Sequence, residues 1–109
     1  MISLKQKELN KWQEHNFGGN VSSDKLALGM AEEVGELCHC LLKRAQVIRE
    51  GYNQDKLKEE IADAFADAVI YGIQLLTNEG LDAEQELAFV IENILLRDWR
   101  KFPKDGETE

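Results

Sequence analysis

A single proline in 109 residues, Pro103, leaves almost the whole chain free of the one residue that cannot continue a helix. Glycines fall mostly where apolar helical patterns break, so the sequence reads as four helices joined by short connections, with no competing strand pattern. Ser3 and Gln6 have capping-box spacing and open a first helix that runs through about Asn16, where Phe17-Gly18-Gly19-Asn20 closes it. A second helix starts near Ser23 or Asp24 and runs to Glu50, with Gly51 as its stop. At ~1.5 Å per residue it would be roughly 40 Å long. A third spans about Gln54 to Asn78. Gly80 fits the left-handed residue past its end, and Asp82 caps a fourth helix from Ala83 to about Lys101. One all-α domain over residues 1–103 is expected, followed by a loose polar tail over 104–109. The second and third helices, similar in length, form an antiparallel hairpin that the other two helices or a second copy must cover.

A domain of this length buries a modest core, and long helices leave apolar stripes exposed, so a homo-oligomer is expected. The 21 acidic and 13 basic residues give a formal charge of -8, which opposes binding to a nucleic-acid polymer. A phosphorylated small molecule would need a cation or well-placed Lys and Arg to offset that charge. Met1 to Trp12 lacks an apolar signal-peptide core, and no apolar run approaches the roughly 20 residues of a membrane span. No membrane partner and a cytoplasmic location are therefore expected. Cys38 and Cys40, two apart on a helix, point to different sides and read as reduced thiols.

At ~100° per residue, Glu33 projects into the arc of Leu26, Met30, Leu37 and Cys40, and Glu36 stands at that arc's edge. On the third helix Glu60, Asp63, Asp67 and Tyr71 follow one another at spacings of three and four, beside Leu57, Ala64, Ala68 and Leu75. An acid turned toward an apolar interface is costly unless it is paired or coordinates a metal. Solvated surface acids would explain a lone Glu pair. Two coordinated clusters among small and apolar residues point instead to a shared cation. All-oxygen ligation favours a hard ion, Mg²⁺ with Mn²⁺ as a substitute, able to acidify water and polarise a phosphoryl oxygen.

Glu32-Glu33-Val34-Gly35-Glu36-Leu37 and Glu59-Glu60-Ile61-Ala62-Asp63 resemble the E-E-x-x-E and E-x-x-D signature of MazG-like nucleoside triphosphate pyrophosphohydrolases. The likeness extends from Trp12 and Phe17 to Asp67-Ala68-Val69-Ile70-Tyr71 and Arg97-Asp98-Trp99. It implies an all-α four-helix fold whose two long helices supply Mg²⁺ ligands, cleavage of a nucleotide to its monophosphate and pyrophosphate, and a homodimer or homotetramer. Carried over by position, Glu33, Glu36 and Asp63 are metal ligands, with Glu60 and Asp67 competing for the remaining place. Glu60 is paired with Asp63 in the literal motif, whereas Asp67 has the family's spacing to Tyr71. Glu32 is a candidate general base, or an acid that supports the metal ligands from behind. Trp12 or Phe17 would stack on a base, Tyr71 would contact sugar or base, and Lys43, Arg44, Arg97, Arg100 or Lys101 would meet phosphates. The aromatics also suit a core, and the basic residues also suit helix ends.

Three rivals stand beside this reading. Phosphoribosyl-ATP pyrophosphohydrolase shares the chemistry and much of the motif. Glu36-Leu37-Cys38-His39 spells the Glu-x-x-His of di-iron bundles, although only one copy exists, so His39 reads as an ordinary helix-face residue. A silent helical oligomer or partner-binding module would tolerate Glu33→Gln and Asp63→Asn.

Overall fold

The computed structural model describes residues 1–19, 21–46 and 54–107. It contains four helices, α1 (Ile2–Phe17), α2 (Ser23–Ala45), α3 (Gln54–Asn78) and α4 (Ala83–Leu95), and no strand among the described residues. The Ser22 hydroxyl accepts from the Lys25 amide at 3.2 Å and starts α2, and the Asp82 carboxylate accepts from the Gln85 amide at 3.0 Å and starts α4. Gly18 and Gly80 take the left-handed conformation expected past the ends of α1 and α3.

Three boundaries depart from expectation. The α1 N-cap is Met1, without a side-chain bond, so Ser3 and Gln6 form no capping box. Their side chains reach across to α4 instead. The Ser3 hydroxyl donates to Asp82 and Glu84, each at 3.1 Å, and the Gln6 carbonyl accepts from the Ala83 amide at 2.9 Å. Helix α2 ends at Ala45, where the Gln46 amide turns to the Leu42 and Lys43 carbonyls; Asn20, Glu50 and Gly51 lie outside the described residues. Helix α4 stops at Leu95 rather than near Lys101 because the Asp98 carboxylate takes the Arg100 and Lys101 amides, each at 3.0 Å, into a new turn. The following residues are not a loose tail as far as Glu107. The Gly106 amide donates to the Phe102 carbonyl and the Asp98 amide to the Gly106 carbonyl, both at 2.8 Å, while Arg97 pairs with Glu107 at 3.1 Å.

Helices α2 and α3 form the antiparallel hairpin. Ser23 bonds Glu79 at one end, and Gly29 and Met30 meet Tyr71 and Gly72 further along, so partners on α3 fall in number as those on α2 rise. Their shared face buries Leu26 and Cys40 from α2 and Leu57, Ala64 and Ala68 from α3. Leu57 is 0% exposed, and removing a leucine side chain from water contributes roughly 1.5–3 kcal/mol. Among the described residues α1 packs on α3 and α4, and α2 packs on α3.

Gln6 ties three elements together, since its amide nitrogen also donates to the Thr77 hydroxyl and the Leu81 carbonyl, each at 2.9 Å. Beyond this corner α4 is largely uncovered. Ala83 is buried, whereas Leu87, Phe89, Val90, Ile91, Ile94, Leu95 and Leu96 are 49–81% exposed. The radius of gyration is 17.9 Å, against about 13 Å for a compact domain of this size. Among the described residues no helix is long and apolar enough to cross a membrane.

Candidate functional site

The antiparallel register decides what the acidic residues can do together. Counting down α3 while counting up α2 brings Glu33 and Glu36 opposite Glu60, Asp63 and Asp67, and these five carboxylates line one open cleft of about 360 Å³. His39, Cys40, Lys43 and Ala64 complete its walls. Buried Ala64, with Leu57 and Ala68 on the same stripe of α3, lets the helices approach while the acids flank the contact.

A second cavity, about 540 Å³, lies between α1 and the hairpin. Trp12 and Phe17 line it from α1, with ring centroids 5.6 Å apart and planes at 77°, an edge-to-face pair. Ile70, Tyr71 and Gln74 line it from α3. Glu33 and Asp67 belong to both cavities, so the aromatic chamber and the acidic cleft share a wall made of carboxylates. The Tyr71 ring lies against Gly29 so closely that a Cβ there would sit 2.7 Å from its Cζ.

Glu33 carries the electrostatic mark of this meeting point. Partial withdrawal from water, then the charges of Asp67, Glu32 and Glu36, raise its carboxyl above the usual range. The donor set suits a hard cation, because it is all carboxylate oxygen and its like charges would be relieved by one. Among the described residues the acids are not drawn into a closed group of three or more around one point, so the fit rests on donor chemistry and shared location.

The other residues singled out from the sequence divide. Lys43 lines the acidic cleft, whereas Glu32 and Arg44 are exposed on α2 and line neither cavity. Arg97, Arg100 and Lys101 lie beyond the end of α4 and border neither cavity; Arg97 pairs with Glu107 and the Lys101 ammonium sits 5.3 Å from the Phe102 ring centre. Cys38 and Cys40 are free thiols, the first exposed and the second buried. Two participants carry no mark in the sequence, Gly29, which seats Tyr71, and Gln74, which borders the aromatic chamber, while the exposed His39 of Glu36-Leu37-Cys38-His39 lines the cleft. The i+3 spacing from Glu36 was the available signal for His39; a glycine or glutamine inside a helix gives no such signal.

No protein-family model, curated protein or solved structure matches this chain.

Proposed function

We propose that the protein is a Mg²⁺-dependent, MazG-like nucleotide pyrophosphohydrolase that converts a nucleoside triphosphate to its monophosphate and pyrophosphate, with Mn²⁺ as an alternative ion. The observation that carries this reading is the shared wall: Glu33 and Asp67 border both an aromatic chamber suited to a base and a cleft of five carboxylates suited to a cation. A base held against Trp12, Phe17 and Tyr71 would direct its phosphates over that wall.

In this reading Glu33, Glu36 and Asp63 would hold the ion, and Glu60 or Asp67 would complete its ligands. When bound, the ion would neutralise phosphate charge and lower the pKa of an attacking water. Water attacks the α-phosphorus, the bond to the bridging oxygen breaks, and pyrophosphate leaves. A cleft carboxylate not engaged with the cation takes the proton of the water, and Glu32 adds negative potential from the adjacent surface. Lys43 offsets phosphate charge from within the cleft.

The uncovered apolar side of α4 and the extended shape support assembly as a homodimer or homotetramer. In such an assembly Arg97, Arg100 and Lys101, remote from the cavities of their own chain, would meet phosphates bound by another copy.

Incubation with Mg²⁺ and a panel of canonical and modified nucleotides, phosphoribosyl-ATP included, tests the reading. Release of pyrophosphate with a monophosphate is expected. Orthophosphate with a diphosphate product would eliminate cleavage between the α and β phosphates, and no turnover across the panel would favour a partner-binding module. Because Glu36 and His39 line the same cleft, reconstitution with iron is the control: a carboxylate-bridged di-iron absorbance would favour a redox bundle.

A further inference from the structure

Three glutamines are more than nine-tenths buried, Gln6, Gln13 and Gln74, at 7%, 5% and 6% exposure. They are not equivalent. Gln6 spends its amide on Thr77, Leu81 and Ala83. Among the described residues no side-chain hydrogen bond engages Gln13 or Gln74, and their amide atoms are not sealed off, the one buried side-chain polar atom without a partner there being Gln46 Oε1, so both amides are open to the cavities they border.

Both border empty space beside the aromatics. Gln74 lines the 540 Å³ chamber, and Gln13 and Gln74 together line an adjoining cavity of about 230 Å³ whose walls include Phe17 and Tyr71. A carboxamide presents a donor and an acceptor side by side in one plane, the pattern that pairs with the edge of a nucleobase while aromatic rings take its faces. The walls therefore supply both halves of base recognition, stacking surfaces and unspent edge-reading groups.

Building on the proposed nucleotide chemistry, we infer that Gln13 and Gln74 are specificity-determining residues that read the hydrogen-bonding edge of a planar heterocyclic base lying against Trp12, Phe17 and Tyr71. Neither takes part in bond breaking. Their contribution is to discriminate among bases, so it is visible in binding without metal or turnover.

The test is calorimetric titration of the protein, without divalent cation, with the monophosphates of adenosine, guanosine, cytidine and uridine. Wild type is expected to prefer some bases over others. Gln74→Met and Gln13→Met, close in shape and apolar, should each reduce that preference by about tenfold or more while leaving the least favoured base and the helical circular dichroism unchanged. Gln74→Glu, which keeps the acceptor and loses the donor, should reorder the preference. Equal binding of all four monophosphates by wild type, no binding of any, or an unchanged preference in all three variants overturns the inference. Base-selective binding with no pyrophosphate released from any triphosphate would remove the hydrolase reading and leave this one standing.

Discussion

The Tyr71 ring occupies the space that a side chain at position 29 would fill, with its Cζ 2.7 Å and its Cδ1 2.8 Å from where a Cβ would stand. Gly29 thus fixes how far Tyr71 leans over α2, and with it one wall of the aromatic chamber.

Gly29→Ala tests that seat. By helix propensity alone alanine would stabilise α2 by ~1 kcal/mol. Overpacking against Tyr71 costs about 1–3 kcal/mol, so urea denaturation should show a loss of stability, and nucleotide turnover should show a raised KM. A gain in stability would mean that the ring moves freely.

Glu36→Gln should lower Mg²⁺-dependent pyrophosphate release by about 100-fold or more with helical content unchanged, because it removes a charged donor from the cleft. Comparing Glu60→Gln with Asp67→Asn separates the two candidate fourth ligands, the larger loss of Mg²⁺ affinity identifying the one engaged with the ion.

The corner between α1 and α4 should be acid-sensitive. The Gln85 amide and then the Ser3 hydroxyl hold the Asp82 carboxyl below its ordinary 3.8. The Met1 ammonium, then the Ile2 amide and the Ser3 hydroxyl, hold Glu84 below its ordinary 4.5. Groups depressed on folding contribute stability above their unfolded pKa values and lose it as pH falls through the lower folded ones. Asp82→Ala should therefore lower the urea midpoint at about pH 7, and the gap from wild type should narrow on titration to about pH 2.5.

Val90→Glu with Ile94→Glu charges the uncovered side of α4, where the two side chains are 49% and 50% exposed. Sedimentation velocity should show wild type heavier than one chain and the double variant at the mass of one. A wild-type protein that sediments as a single chain at all concentrations would contradict the assembly.

Much of this structure was legible in sequence where local chemistry decides it. Asp82, Gly18 and Gly80 act at their own helix ends, and a period of 3.6 suffices to put Glu33 and Asp63 beside a buried stripe. Ser3 and Gln6 obey a local rule that a distant partner overrides, since the start of α4, more than seventy residues away, competes for the same side chains. The end of α4 was hidden because apolar residues continue past Leu95 to Trp99, while the stop is one carboxylate folding back on the next two amides. That Glu33 and Asp67 border two cavities depends on the hairpin register and the docking of α1, neither of which is a property of any single helix.

The three bonds of Gln6 also order events in time. Its partners Thr77, Leu81 and Ala83 are all late in the chain, so α1, although it precedes them, cannot complete the bonds of that amide until the turn before α4 exists. Closing so long a loop is slow relative to pairing neighbours in sequence. We expect the hairpin to gain protection from amide hydrogen exchange first during refolding, with α1 and α4 protected together afterwards; early protection of α1 alone would show that it docks without its corner.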